Sequence, residues 1–162
     1  MIALIASLGL LSSLAVQNVE QEIDPADRAI VGACVAAARA RAEDASACVG
    51  RVASPCMERP GGDTTVGMVT CAGREHAIWD ERLNAAYRAL RQALDHEYAQ
   101  NRREALLIAQ RAWIRYRDAE CSQQALQFEG GTLASVISTS CYLEMTAERA
   151  LELEAQLEDA DL

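Results

Sequence analysis

Six cysteines, Cys34, Cys48, Cys56, Cys71, Cys121 and Cys141, have more chemistry to offer than any other side chains in this sequence. An even set admits disulfides, a zinc site or thiol catalysis, and spacing separates the three. Zinc sites favour Cys-x2-Cys pairs with matching histidines, whereas here no such pair exists and His76 and His96 stand in no ligand-like register. Thiol-disulfide catalysts carry closely spaced cysteines at a helix start, and that pattern is missing too. The serines lack a Gly-x-Ser-x-Gly context. Acid pairs such as Asp80-Glu81 and Asp118-Glu120 are expected by chance among 24 acidic residues, and Gly61-Gly62 and Gly130-Gly131 read as turns, not phosphate cradles. The chain therefore reads as a non-enzyme, with no metal and no cofactor, whose cysteines form three bridges.

Bridges of this kind belong to proteins folded outside the cytosol. Residues 2–16 are apolar or small and end near Ser13-Leu14-Ala15, which predicts a signal peptide over residues 1–15. About fifteen residues fall short of a bilayer span. The reading is a periplasmic or secreted protein with no stable membrane span after processing. No cysteine follows the cleavage position, which argues against a lipoprotein.

Polar residues 16–24 then read as a flexible leader. Asp24-Pro25 is an N-cap followed by proline at the first helical position, and predicts a helix to about residue 41 with Ile30, Cys34, Ala37 and Ala38 inward. A break over residues 43–46 leads to a shorter helix over 47–53, and Arg59-Pro60-Gly61-Gly62 is a strong turn signal. An amphipathic pattern runs from Thr65 to about Tyr98, and a second long helix ends near Gln127. After a turn at Glu129-Gly130-Gly131, a third helix reaches Leu157. Abundant alanine and 4% aromatic content favour helix over sheet. The predicted fold is all-α, an antiparallel helical bundle or stacked helical hairpins stabilised by disulfides. A disulfide-linked N-terminal hairpin fills residues 25–62, the main helical domain 63–157 and an acidic tail 158–162.

Cysteines equidistant from a hairpin turn lie at one height, so bridged positions should average to the turn. Cys121 and Cys141 average to Gly131. Cys34 with Cys56 averages to the 43–46 break, and Cys48 with Cys71 to Pro60; the competing set is Cys48 with Cys56 and Cys34 with Cys71.

Within the second long helix, Leu106, Ala109, Gln110, Trp113, Arg117 and Cys121 share one stripe. A packing helix would carry Leu or Ala at Gln110 and Arg117, because buried polar groups need partners. The string Gln110-Arg-Ala-Trp-Ile-x-Tyr-Arg-Asp-Ala-Glu-Cys121, followed by Gly130-Gly131, Cys141 and Thr146-x-x-Arg149-Ala150-x-x-Leu153, resembles the LprI-like lysozyme-inhibitor family of secreted or lipid-anchored bacterial proteins. The upstream string Cys71-x3-Glu75-x4-Asp80-x2-Leu83-Asn84-x2-Tyr87-x2-Leu90 extends the likeness to residues 71–157. The resemblance implies an all-helical, disulfide-bonded envelope domain, with lysozyme inhibition as the family's activity. Asn84, Gln110, Arg117, Asp118, Thr146 and Arg149 are the motif's polar network, read chiefly as struts between helices.

All positive charge comes from fifteen arginines, and the formal net charge is -9. Nucleic acid is disfavoured as a partner, because phosphate binding needs a basic surface. A cationic lysozyme-type protein fits better. The turn clamped between Cys121 and Cys141, formed by Phe128, Glu129, Gly130, Gly131 and Thr132, is the candidate partner-binding element. The leading reading is a monomeric exported protein that binds and inhibits a lysozyme-type muramidase. Its rivals are a non-catalytic structural or assembly factor of the envelope with another protein partner and, more distantly, a small-molecule binder.

Overall fold

A computed structural model describes residues 23–160, so the expected signal peptide and most of the leader lie outside the described residues. Five helices follow in order, α1 (Pro25–Ala40), α2 (Ala53–Met57), α3 (Thr65–Ala93), α4 (Gln100–Leu126) and α5 (Leu133–Ala160), with 3₁₀ turns at Ala45–Cys48 and Glu97–Ala99. Among the described residues there is no strand. The fold is all-α and carries three disulfides.

Local chemistry sets the helix starts. Asp24 caps α1 by accepting from the Ala26 amide at 2.9 Å, with Pro25 at the first position. Thr64 caps α3 by accepting from the Gly67 amide at 3.0 Å. Gly67 also lets the preceding turn fold down on α3, since a Cβ there would run into the Gly61 carbonyl.

The centre of the molecule is the pair α3 and α5. Ile78, Trp79, Leu83 and Leu90 from α3 meet Leu143, Ala147, Ala150 and Leu153 from α5 in one core. Contacts between His76 and Tyr142 and between Arg82 and Glu154 advance together along both chains, so these helices run parallel. Val31, Val35 and Ala38 seat α1 on that pair. Ionic clamps hold its ends: Arg74 binds Asp27 and Asp24, and Arg39 binds Glu154 at 2.6 Å. The buried stripe of α1 is turned from the expected one, leaving Ile30 47% exposed while Val31 is buried. Antiparallel α4 rests chiefly on α5 and buries only Leu106, Gln110 and Cys121, with Ala109 of the predicted stripe exposed.

Between α1 and α3 the chain departs from the reading of a helix over 47–53. Gly50 has φ of +89°, a left-handed conformation that interrupts any helix, and the helical turn starts later at Ala53. Because the chain reverses there, Cys48 faces back to Cys34 and Cys56 faces forward to Cys71, with Cα–Cα separations of 5.8 and 5.6 Å. The 34–56 and 48–71 bridges therefore do not form, nor does the 48–56 with 34–71 set. Averaging about a turn fails where the intervening segment is not a regular hairpin arm. Further on, α3 stops at Ala93, five residues short of the expected end, and α5 continues into the acidic tail.

Candidate partner-binding site

The six motif polar residues divide into two kinds. Two bonds cross between helices: Arg149 Nε donates to Gln110 Oε1 at 3.0 Å, and Arg117 donates to the Thr146 hydroxyl at 3.4 Å. Arg149 and Gln110 are both buried, and Arg149 also holds Glu152 at 2.6 Å. Both bonds join α4 to α5. Asn84 instead bonds back to Asp80 within α3, and Asp118 pairs with its neighbour Arg117 at the surface. Neither reaches another helix.

Arg117 is held further by two rings. Its guanidinium carbon lies 5.0 Å from the centroids of both Trp113 and Tyr142. His76 of α3 closes this cluster, edge-on to Tyr142, with Nε2 3.3 Å from the Thr146 hydroxyl. Burial pushes the His76 pKa down and the Arg117 charge adds to that, while Asp80 opposes it. A neutral imidazole leaves Nε2 free to accept from Thr146, while the same hydroxyl oxygen accepts from Arg117. His76 thus belongs to the interior of the cluster, although its place in the sequence suggests a surface residue.

Sequence reasoning also missed the side chain with the most buried work, Glu75. It is fully buried and, among the described residues, forms no ion pair. Its Oε1 accepts from the Gly50 amide at 2.7 Å and from Trp79 Nε1 at 3.0 Å. Oε2 accepts from the amides of Val52 and Ala53 at 2.8 and 2.7 Å. Four donors directed at one carboxylate replace its hydration and hold the N-terminal segment on α3. Its spacing from Cys71 was the only signal, and it gave no role.

At the opposite end of α4 the candidate turn projects. Leu126, Phe128 and Leu133 are 61%, 38% and 42% exposed around it, and Val66 of α3 is exposed as well. The turn is nevertheless internally bonded. Phe128 accepts from the Gly131 amide at 3.0 Å, Gly130 takes a φ of +81°, and the Thr132 carbonyl accepts from Ser135 at 2.8 Å. The Thr65 and Thr132 hydroxyls meet at 3.3 Å, bringing the turn against the start of α3. Beneath it, Cys121 and Cys141 are bridged with Cα atoms 5.5 Å apart, and Met145 packs its sulfur against both sulfurs. The cluster and the turn are therefore separate features joined by the α4–α5 pair.

Among the described residues, no group of three or more His, Cys, Asp and Glu side chains is placed to hold a metal ion, and no helix is long and apolar enough to cross a membrane. The chain is 37% identical over 101 residues to an uncharacterized protein of Rhizobium meliloti (strain 1021), covering 56% of this chain and 72% of that one. It is 28% identical over 132 residues to an uncharacterized 17.7 kDa protein in the puhA 5' region of Rhodobacter capsulatus, covering 75% and 81%. No solved structure matches it. The profile of the family described as lysozyme inhibitor LprI matches residues 56–153, and with α3, α4, most of α5 and two of the three disulfides falling in that match, the chain belongs to this family.

Proposed function

We propose that this is an exported, monomeric protein of the bacterial envelope that binds a lysozyme-type muramidase and blocks its cleft with the turn at residues 128–132. The observation that carries the reading is an apolar tip on a rigid base. Leu126, Phe128 and Leu133 surround a turn whose two arms are locked by Cys121 and Cys141. An exposed apolar group costs water contact unless a partner covers it, and a pre-ordered turn loses little entropy on docking. Covering the exposed third of Phe128 would contribute roughly 0.5–1 kcal/mol. The net charge of -9 would draw a cationic enzyme toward the molecule before contact. Three disulfides fit an oxidising compartment, which is where such an enzyme is met.

The test is clearing of a peptidoglycan suspension by a cationic muramidase at low ionic strength, with the oxidised protein titrated in. The reading expects saturable inhibition at one molecule per enzyme that weakens as salt is added. Full clearing at a large excess of inhibitor would reject it. The envelope assembly role with another protein partner would then take its place at the same turn.

A further inference from the structure

The side of α4 turned away from α5 carries a second apolar stripe. Leu106, Gln110 and Cys121 face inward, while Ala105, Ile108, Ala109, Ala112, Tyr116 and Ala119 recur at three- and four-residue steps along the outer side, and each of them is exposed. The stripe is about 20 Å long. Ile108 and Tyr116 are its large members, at 60% and 59% exposure. A surface helix ordinarily turns its apolar stripe to the core and leaves charge outside. Here charge borders the outer stripe instead. Arg111 and Arg115 lie along one edge and Arg102 along the other; all three are exposed, and none makes an ion pair or hydrogen bond among the described residues. Of the acids on the Arg111 edge, Asp118 is taken by Arg117 and Glu104 lies two turns before Arg111. In all, α4 holds five of the fifteen arginines and three of the 24 acidic residues, a positive excess in a chain whose net charge is -9.

From this combination we infer that α4 lies on the surface of a bilayer rich in anionic phospholipid, with Ile108 and Tyr116 entering the headgroup region and Arg102, Arg111 and Arg115 held by phosphates. The stripe is the convex face of one helix. Two large side chains among four alanines fall well short of the roughly 800 Å² per side that a stable protein interface takes. A bilayer asks for less apolar area, because anchoring side chains and the attraction of arginines to anionic headgroups act together. A guanidinium meets phosphate through two parallel donors, and an unpaired one gives up no existing bond to do so. Tyr116 can bury its ring and keep its hydroxyl among the headgroups. The acids on the rest of the chain oppose this attraction weakly, since a helix is about 10 Å across and charges more than about 8 Å away are screened at physiological ionic strength. The stripe is distinct from the turn at residues 128–132 and independent of any muramidase.

Flotation of the full oxidised protein with vesicles at physiological ionic strength tests it. Vesicles of equal parts phosphatidylglycerol and phosphatidylcholine should bind the protein at least tenfold more strongly than phosphatidylcholine alone. Arg111→Gln and Arg115→Gln should each lose about fivefold. Ala112→Glu, which sets an acid on the midline of the stripe without touching α5, should lose at least tenfold; all three should melt as the parent does, because the substituted side chains are exposed. Phe128→Ala should change vesicle binding less than twofold, which separates this surface from the turn. Residues 2–16, where retained, are common to parent and variants, so the differences read α4. The proposal is overturned by equal binding to both kinds of vesicle, by binding that survives Ala112→Glu, or by a loss that Phe128→Ala shares. Absence of vesicle binding overturns it too, and leaves an acidic protein as the partner of the stripe.

Discussion

Replacing Glu75 by Gln keeps the side chain's shape and removes half of its acceptors. The carboxylate serves four donors, two on each oxygen: the Gly50 amide and the Trp79 indole on one, the Val52 and Ala53 amides on the other. A carboxamide presents one oxygen and one NH₂, so two donors lose their acceptor and meet another donor instead. Each buried orphan costs about 1–3 kcal/mol. Gly50 is only half-buried and water can reach its amide, which sets the expected loss near the lower part of the range, about 2–4 kcal/mol. For a chain of this length that corresponds to a fall in Tm of about 10 °C. An opposing effect exists, since removing a buried charge also removes its desolvation cost. It is outweighed here because the four donors, fixed by the backbone and by a core indole, remain in place after the substitution. Thermal melts by circular dichroism give the global value, and amide hydrogen exchange gives the local one. The exchange of Gly50, Val52 and Ala53 should accelerate while amides of α4 and α5 keep their protection relative to the new global stability. A variant that melts within a degree of the parent with those three amides still protected would refute the reasoning.

Phe128→Ala should lower Tm by no more than a few degrees and weaken muramidase inhibition by roughly 2- to 6-fold, read as the shift in half-inhibitory concentration. Serine at both Cys121 and Cys141 should cost about 2–4 kcal/mol in urea unfolding and loosen the turn, so inhibition falls even where the protein remains folded. For His76, the folded-state pKa lies below the unfolded value of about 6.5, so the unfolded chain binds the extra proton first. Stability is therefore full above pH 6.5 and declines as pH drops below it; His76→Gln should flatten that part of a Tm-against-pH profile, and proton NMR should show the imidazole titrating below 6.5. Gly67→Ala should lower Tm although it places a better helix former inside α3, because the added methyl meets the Gly61 carbonyl.

Helices with their own start signals were legible. Asp24-Pro25 and Thr64 place α1 and α3 because a cap is a local contact between residues two or three apart. The paired glycines at 130 and 131 place the α4–α5 turn for the same reason, and the odd polar residues of α4 announced the Gln110 and Arg117 crossings to α5. What stayed hidden depends on distant partners. Glu75 reads as one more acid on a long helix, and its donors lie 22 to 25 residues away except for Trp79. That capping, with the left-handed backbone at Gly50, keeps residues 49–52 out of a helix, and it carries with it the bridges of Cys34, Cys48, Cys56 and Cys71. The setting of His76 is hidden for a related reason: it flanks the α3 core and is covered only once Tyr142 and Arg117 arrive from two other helices. The phase of α1 differs by one residue because Ile30 and Val31 are adjacent apolar residues, and only the contact with the α3–α5 pair decides that Val31 and Val35 are the ones covered.

The most direct test of the functional account is hydrogen exchange of the protein alone and in a one-to-one mixture with a cationic muramidase at low ionic strength. The account predicts new protection confined to the turn at residues 128–132 and the ends of α4 and α5 that carry it, with the N-terminal segment unchanged. Protection centred on any other surface, or no change at concentrations where inhibition is complete, would contradict it.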